Sequence, residues 1–192
     1  MSDVGSDVGS DVPSGLPGER PTVTHGSGAV LRAAVESDVP ELLRLVKGLA
    51  TYEKEPDAVE ATEEMYRGIL FPDRGEPTGF CEVAAVGNGL VAMAFWYVTF
   101  STWSGRNGIW LEDFFVEPGH RRSGLGHAIL SRLARICVLR GYRRLEWWVL
   151  DWNRSAIDFY ESRGARGLDE WTHFRMDGVE LDRLADSTAL TR

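Results

Sequence analysis

The sequence predicts a mixed α/β fold of the α+β kind, a central β-sheet with helices on both faces. Three observations predict it. Short apolar strand-like runs alternate with runs whose apolar residues recur every three or four positions. Three strand-like runs stand consecutively in mid-chain, which a purely parallel sheet does not accommodate. Finally, 192 residues with 43% apolar content suffice for one well-buried core.

Residues 1–28 repeat Ser-Asp-Val and continue through PSGLPGERP, a Gly, Ser, Asp and Pro composition that buries too little apolar surface to offset its ordering entropy; this segment is expected to be a disordered tail. The folded domain is expected over 29–186, with a short tail at 187–192. Its first strand is VLRAAV from Val30. A helix follows, with Asp38 and Glu41 at capping-box spacing and Leu42, Leu45, Val46 and Leu49 on one face. A second helix begins after Thr62. FCEVAAV and LVAMAFWYVT are joined by Gly-Asn-Gly, a hairpin signal, and GIWLEDFFV follows a loop holding Trp103 and Gly105. Ile129, Leu133 and Ile136 mark a third helix that stops near Gly141. LEWWVL reads as a strand, in which Trp147 and Trp148 would alternate across the sheet. Asn153 caps a helix bearing Ile157 and Tyr160 that ends at Gly164, and a last strand is expected near Trp171 to Met176.

Composition excludes several functions. A formal net charge of −8 disfavours sequence-independent nucleic-acid binding and an anionic membrane surface. The longest apolar run, Leu90 to Phe100, is too short to cross a bilayer as a helix, and the N-terminus lacks the basic-then-apolar order of a signal peptide. Cys81 and Cys137 have no CxxC spacing and no histidine partner, so neither a zinc site nor a disulfide framework is expected. A soluble, reduced, cytoplasmic protein without metal is the expectation.

The stretch HRRSGLGHA, His120 to Ala128, lies between a strand and a helix. Such a junction gathers free backbone N–H groups and the positive end of a helix dipole, a geometry that binds anions. Gly124 and Gly126 remove β-carbons from the path of a phosphate, while Arg121 and Arg122 bring charge. A P-loop would need Gly-Lys-Ser/Thr, and a dinucleotide fingerprint would need glycine where Ile129 stands. What remains is R-x-x-G-x-G, whose alternative is an arginine-bearing surface turn.

That motif after a strand, then a strand, then Asn153 opening a helix with Tyr160 seven residues on, resembles the coenzyme A site of the GNAT superfamily of N-acetyltransferases. Trp110 to Val116, Arg121 to Gly126, Trp152-Asn153 through Phe159-Tyr160, and Arg163-Gly164-Ala165 stand where the diamine and spermidine/spermine N-acetyltransferase-like branch has its landmarks. The likeness extends to LRAA near the start and LATYE at Leu49 to Glu53. It implies acetyl-CoA as co-substrate, a small cationic amine as acceptor, and a homodimer.

Transfer from a thioester to an amine needs three things: loss of the amine's proton, a hold on the oxyanion, and stabilisation of the departing thiolate. Because lysine-like amines have a reference pKa of about 10.4, a base is required. Glu112 and Asp113 are adjacent on a strand, so their side chains are expected on opposite faces. By resemblance Glu112 takes the proton, directly or through water, and Asp113 helps hold a cationic acceptor. Asn153 and Tyr160 share a helix face kept shallow by Ala156, and a phenol with a reference pKa of about 10 suits the general-acid role. The resemblance also implies cofactor contacts from Phe114, Phe115 and Val116, from Arg121, Arg122, Ser123, Gly124, Leu125, Gly126 and His127, and from Asn153, Ser155, Ala156 and Tyr160. Acceptor contacts fall to Tyr52, Glu53, Ser101, Trp103, Glu112, Asp113 and Glu170. Ser101 stands where relatives that prefer polyamines carry Asp, which leaves a short diamine or a thialysine-like amine as open as a polyamine. Two other readings stay open: a non-catalytic acyl-CoA-binding module, and an enzyme acting on a protein amino terminus or an antibiotic.

Overall fold

The computed structural model describes residues 21–187 and divides them into two compact units, one running to Trp148 and one from Val149. The first unit holds a six-stranded sheet of β1 (Val23–Thr24), β2 (Val30–Ala33), β3 (Phe80–Val86), β4 (Gly89–Ser101), β5 (Arg106–Val116) and β6 (Leu145–Glu146), in that spatial order. Strands β1 to β5 form an antiparallel meander, whereas β6 runs parallel to β5. Gly87, at φ +58°, turns β3 into β4 as the Gly-Asn-Gly signal predicts.

Helices α1 (Val39–Tyr52) and α2 (Glu63–Leu70) connect β2 to β3 and cover one face. Leu42, Leu45 and Leu70 pack there with Cys81, Val83, Leu90, Met93 and Phe115. Gly48 sets the closeness of α1 to the sheet, since a β-carbon on it would stand 3.1 Å from the Phe115 ring. Helix α3 (Leu125–Leu139) joins β5 to β6 and covers the opposite face. Its Arg132 reaches Glu82, which alternation points away from Cys81 and Val83. Helices therefore cover both faces, as patterning predicts.

Four expectations are corrected. Asp38 does not cap α1; it accepts from Arg32 (Nη2, 2.9 Å) and from the Val35 N–H (2.8 Å), closing the turn before the helix. The Arg32 guanidinium is a stronger partner for a carboxylate than a neutral amide. Val23–Thr24, set aside with the tail, pairs with β2. The strand LEWWVL shortens to Leu145–Glu146, because β5 bulges two residues past the point where β6 pairs with it. The strand expected near Trp171 to Met176 is absent among the described residues.

The second unit holds α4 (Arg154–Glu161) and α5 (Gly178–Ser187), the latter unanticipated. Asn153 caps α4 as expected, its Oδ1 accepting from the Ala156 N–H at 3.3 Å.

Candidate active site

Strand β5 runs through the site. Asp113 pairs with Phe95 and Leu111 with Trp96, so Glu112 is an extra residue opposite two consecutive β4 positions, a β-bulge. Alternation fails there, and the expectation that Glu112 and Asp113 face opposite ways fails with it. Trp110 Nε1 donates to Glu112 Oε2 at 2.9 Å, and the Glu112 charge acts on both Asp113 and Tyr97. Adjacent carboxyls thus work on one neighbourhood.

Glu112 is exposed, whereas Asp113 is half-buried on the α1 and α2 face. Burial first, then the charges of Glu112 and Glu53, push the Asp113 carboxyl up to about 6. Glu53 is raised by burial. Tyr66 of α2 is pushed up to about 12, by burial and then by the Asp113 charge, and its ring lies 5.7 Å from that of Phe95. Three carboxylates with nearby aromatic faces suit an alkylammonium ion. Sequence reasoning missed the bulge and the roles of Tyr66 and Trp110, because nothing in WLEDFFV announces an irregular pairing.

On its second side β5 pairs with β6 at Ile109 and Trp110. From there Leu111 to Val116, Phe114 and Phe115 among them, lead directly into the arginine- and glycine-containing loop. Arg44 of α1 steadies this end of β5 by donating to the Leu90 carbonyl (2.7 Å) and pairing with Glu117.

Within the loop Arg122 adopts φ +61° and Gly124 φ +88°, and Gly124 caps α3 without offering a side-chain acceptor to its first N–H groups. This is the donor-rich, β-carbon-poor cradle that fits a phosphate. Ser123 Oγ donates to the His120 carbonyl at 2.6 Å, closing the turn. Leu125 is only 1% exposed, so its side chain belongs to the core and only its backbone faces a ligand. His127 Nε2 lies 3.4 Å from Ser131 Oγ.

Arg121 stands 4.5 Å over the Tyr52 ring and 5.7 Å over that of Phe115, while its Nε donates to the Val116 carbonyl at 2.9 Å. Tyr52, expected at the acceptor, thus also supports an arginine expected at the phosphate.

Ser101 and Trp103 are not brought to Asp113. Ser101 lies six positions along β4 from Phe95, the partner of Asp113, which is about 20 Å of strand. Ser101 Oγ accepts from the Ser104 N–H at 3.3 Å, and Trp103 is 94% exposed at the hairpin tip. Asn153, Ser155, Ala156 and Tyr160 lie on α4 of the second unit, where the Tyr160 and Phe159 rings meet edge-on at 5.3 Å; Glu170 follows in a turn. No cluster able to hold a metal ion occurs among the described residues.

The family profile described as acetyltransferase (GNAT) family matches residues 41–165. The chain belongs to the GNAT acetyltransferase family. It is 37% identical to a thialysine N-epsilon-acetyltransferase of Sus scrofa over 83% of this chain and 98% of that protein. An L-ornithine N5-acetyltransferase of Arabidopsis thaliana is 27% identical over 80% of this chain and 86% of that one. Among solved structures, an integron cassette protein from the mobile metagenome of V. cholerae superposes with a TM-score of 0.68 at 22% identity, covering 81% of this chain and 96% of that one, a likeness of fold. This GNAT enzyme is accordingly an acetyl-CoA-dependent N-acetyltransferase of amines. No helix among its described residues is long and apolar enough to cross a membrane.

Proposed function

We propose that the acceptor is a small primary amine carrying a second charge-bearing group, of the thialysine or short-diamine type, acetylated by direct attack in a ternary complex. The observation that carries this reading is the bulge that sets Glu112 beside Asp113, close enough to Glu53 for its charge to act, on the strand leading into the arginine- and glycine-containing loop. Similarity to thialysine N-epsilon-acetyltransferases supports it.

Bound acetyl-CoA supplies the acetyl group as a thioester. The backbone of Arg121 to Gly126, with Arg122, holds its phosphates, and the backbone of Phe114 to Val116 contacts the arm, as in the pattern of the family. Asn153, Ser155 and Ala156, at the start of α4, are assigned to the same co-substrate by their match to the pattern of the family. Asp113 and Glu53 hold the ammonium of the acceptor. Glu112, oriented by the Trp110 N–H, takes the proton of the attacking amine, directly or through water. As the new N–C bond forms and the C–S bond breaks, Tyr160 gives its phenolic proton to the departing sulfur. Glu170 contributes charge around the acceptor.

In this reading the enzyme works as a cytoplasmic homodimer. Trp103 and Ser101, about 20 Å along β4 from the Asp113 pairing, then serve the acceptor site of the second copy rather than their own. Exposed Tyr97, Val98 and Phe100 along the same hairpin suit such a contact.

Turnover with an amine panel tests the acceptor. Thiol release is expected to be fastest with thialysine, ornithine or a short diamine, and slower with spermine, because Ser101 provides no charge for a distant ammonium. No release above background with any amine, despite acetyl-CoA binding, would overturn the reading.

A further inference from the structure

His25, outside every motif discussed, is held against the phosphate loop. A β-carbon built on Gly124 would stand 3.3 Å from His25 Nε2 and 3.5 Å from Cε1. The imidazole is oriented from its other side: the Ser27 N–H donates to Nδ1 at 3.1 Å, and Ser27 Oγ lies 2.8 Å from the same atom. A backbone N–H can only donate, so Nδ1 accepts and the proton of the neutral ring resides on Nε2. The N–H that results lies on the loop side.

The arm carrying His25 is anchored independently of it. Val23 and Thr24 pair with Leu31 and Val30, and the His25 N–H donates to the Ala29 carbonyl at 2.8 Å. Arg132 Nη1 donates to the Pro21 carbonyl at 2.9 Å. Arg132 belongs to α3, the helix whose first turn is the loop itself, and its partner Glu82 is fully buried. Loop, helix and arm are therefore fixed to one another.

We propose that His25 is a further ligand-binding residue of the acetyl-CoA site, its Nε2–H donating to the diphosphate held by Arg121 to Gly126. The proposal rests on the reading of that loop as the phosphate cradle. His25, just after β1, brings a donor to the loop from outside the loop's own residues. Gly124 is required twice: for its φ of +88° and because a side chain there would press on the imidazole.

The test compares wild type, His25→Ala and His25→Gln in the full chain, with acetyl-CoA and with S-acetylpantetheine, which lacks the diphosphate. His25→Ala is expected to raise Kd and KM for acetyl-CoA about five- to tenfold, the loss of one hydrogen bond to a charged group, with kcat retained. Constants for S-acetylpantetheine should stay at wild-type values. Glutamine, whose amide nitrogen reaches a similar position, should recover part of the loss. Unchanged acetyl-CoA affinity in His25→Ala, or equal losses with both thioesters, would overturn the role of His25 alone. Failure of the wild type to bind acetyl-CoA would overturn the loop reading and the proposal together.

Discussion

Two neighbouring carboxyls on one strand carry different tasks because their surroundings differ. Glu112 faces solvent with an indole N–H to orient it; Asp113 sits between α1, α2 and the charges of Glu112 and Glu53. Kinetic effects should separate accordingly. Glu112→Gln is expected to lower kcat roughly a hundredfold with little change in acceptor KM, as removal of a proton acceptor does. Asp113→Asn should instead raise acceptor KM roughly tenfold. The raised Asp113 carboxyl also leaves a stability signature. Its folded value of about 6 lies above the ordinary 3.8, so the folded state prefers the protonated form. The associated stability is present below the unfolded value and is lost as pH rises through about 6. Melting temperatures measured across that interval should fall with pH for wild type and fall less for Asp113→Asn. A cationic acceptor reverses the preference, so acceptor binding should strengthen as pH rises through the same range.

At the scale of elements, regular pairing was readable and irregular pairing was not. FCEVAAV and LVAMAFWYVT are apolar runs joined by a glycine turn and pair as a hairpin, with one register shift at Ala84/Ala85, and Asn153 and Thr62 stand where helix caps belong, each accepting from an N–H three residues on. Trp171 to Met176 is rich in aromatic and apolar residues, yet forms no strand, since pairing and packing rather than local preference make one. The bulge at Glu112 and the truncation of β6 are one event seen from two strands, invisible in WLEDFFV or LEWWVL alone. The loop before α3 was readable because its chemistry lies in residue types: two arginines, two glycines and a helix start. Its glycine requirement is checkable. Gly124→Ala forces a β-carbon into a left-handed backbone at a cost of about 1–2 kcal/mol and presses on His25. Thermal unfolding should show a drop of several degrees, and KM for acetyl-CoA should rise while KM for the acceptor holds.

Across the molecule, the two faces of the sheet are stabilised differently. Leucines of α1 and α2 meet a largely apolar surface, whereas α3 meets Glu82, fully buried and paired with Arg132. A buried pair adds little net stability, but breaking it leaves a bare charge. Glu82→Gln and Arg132→Met are each expected to cost about 3–5 kcal/mol in chemical denaturation. The double variant Glu82→Leu/Arg132→Met should recover much of that loss. Arg132→Met should also release Pro21, and with it the N-terminal strand that composition assigned to the tail. That error has a plain origin: Val23 and Thr24 form two residues of strand in a segment of Gly, Ser and Pro, paired with Leu31 and Val30 and tied down beside them by Arg132, far along the chain.

The bulge in β5 has an implication for the behaviour of the protein at high concentration. Evenly spaced strand donors and acceptors are the surface on which separate chains add to one another and precipitate. The extra residue at Glu112 breaks that spacing within β5, so a regular strand from another molecule cannot follow it in step. The irregularity that gathers two carboxyls also works against self-association along this strand.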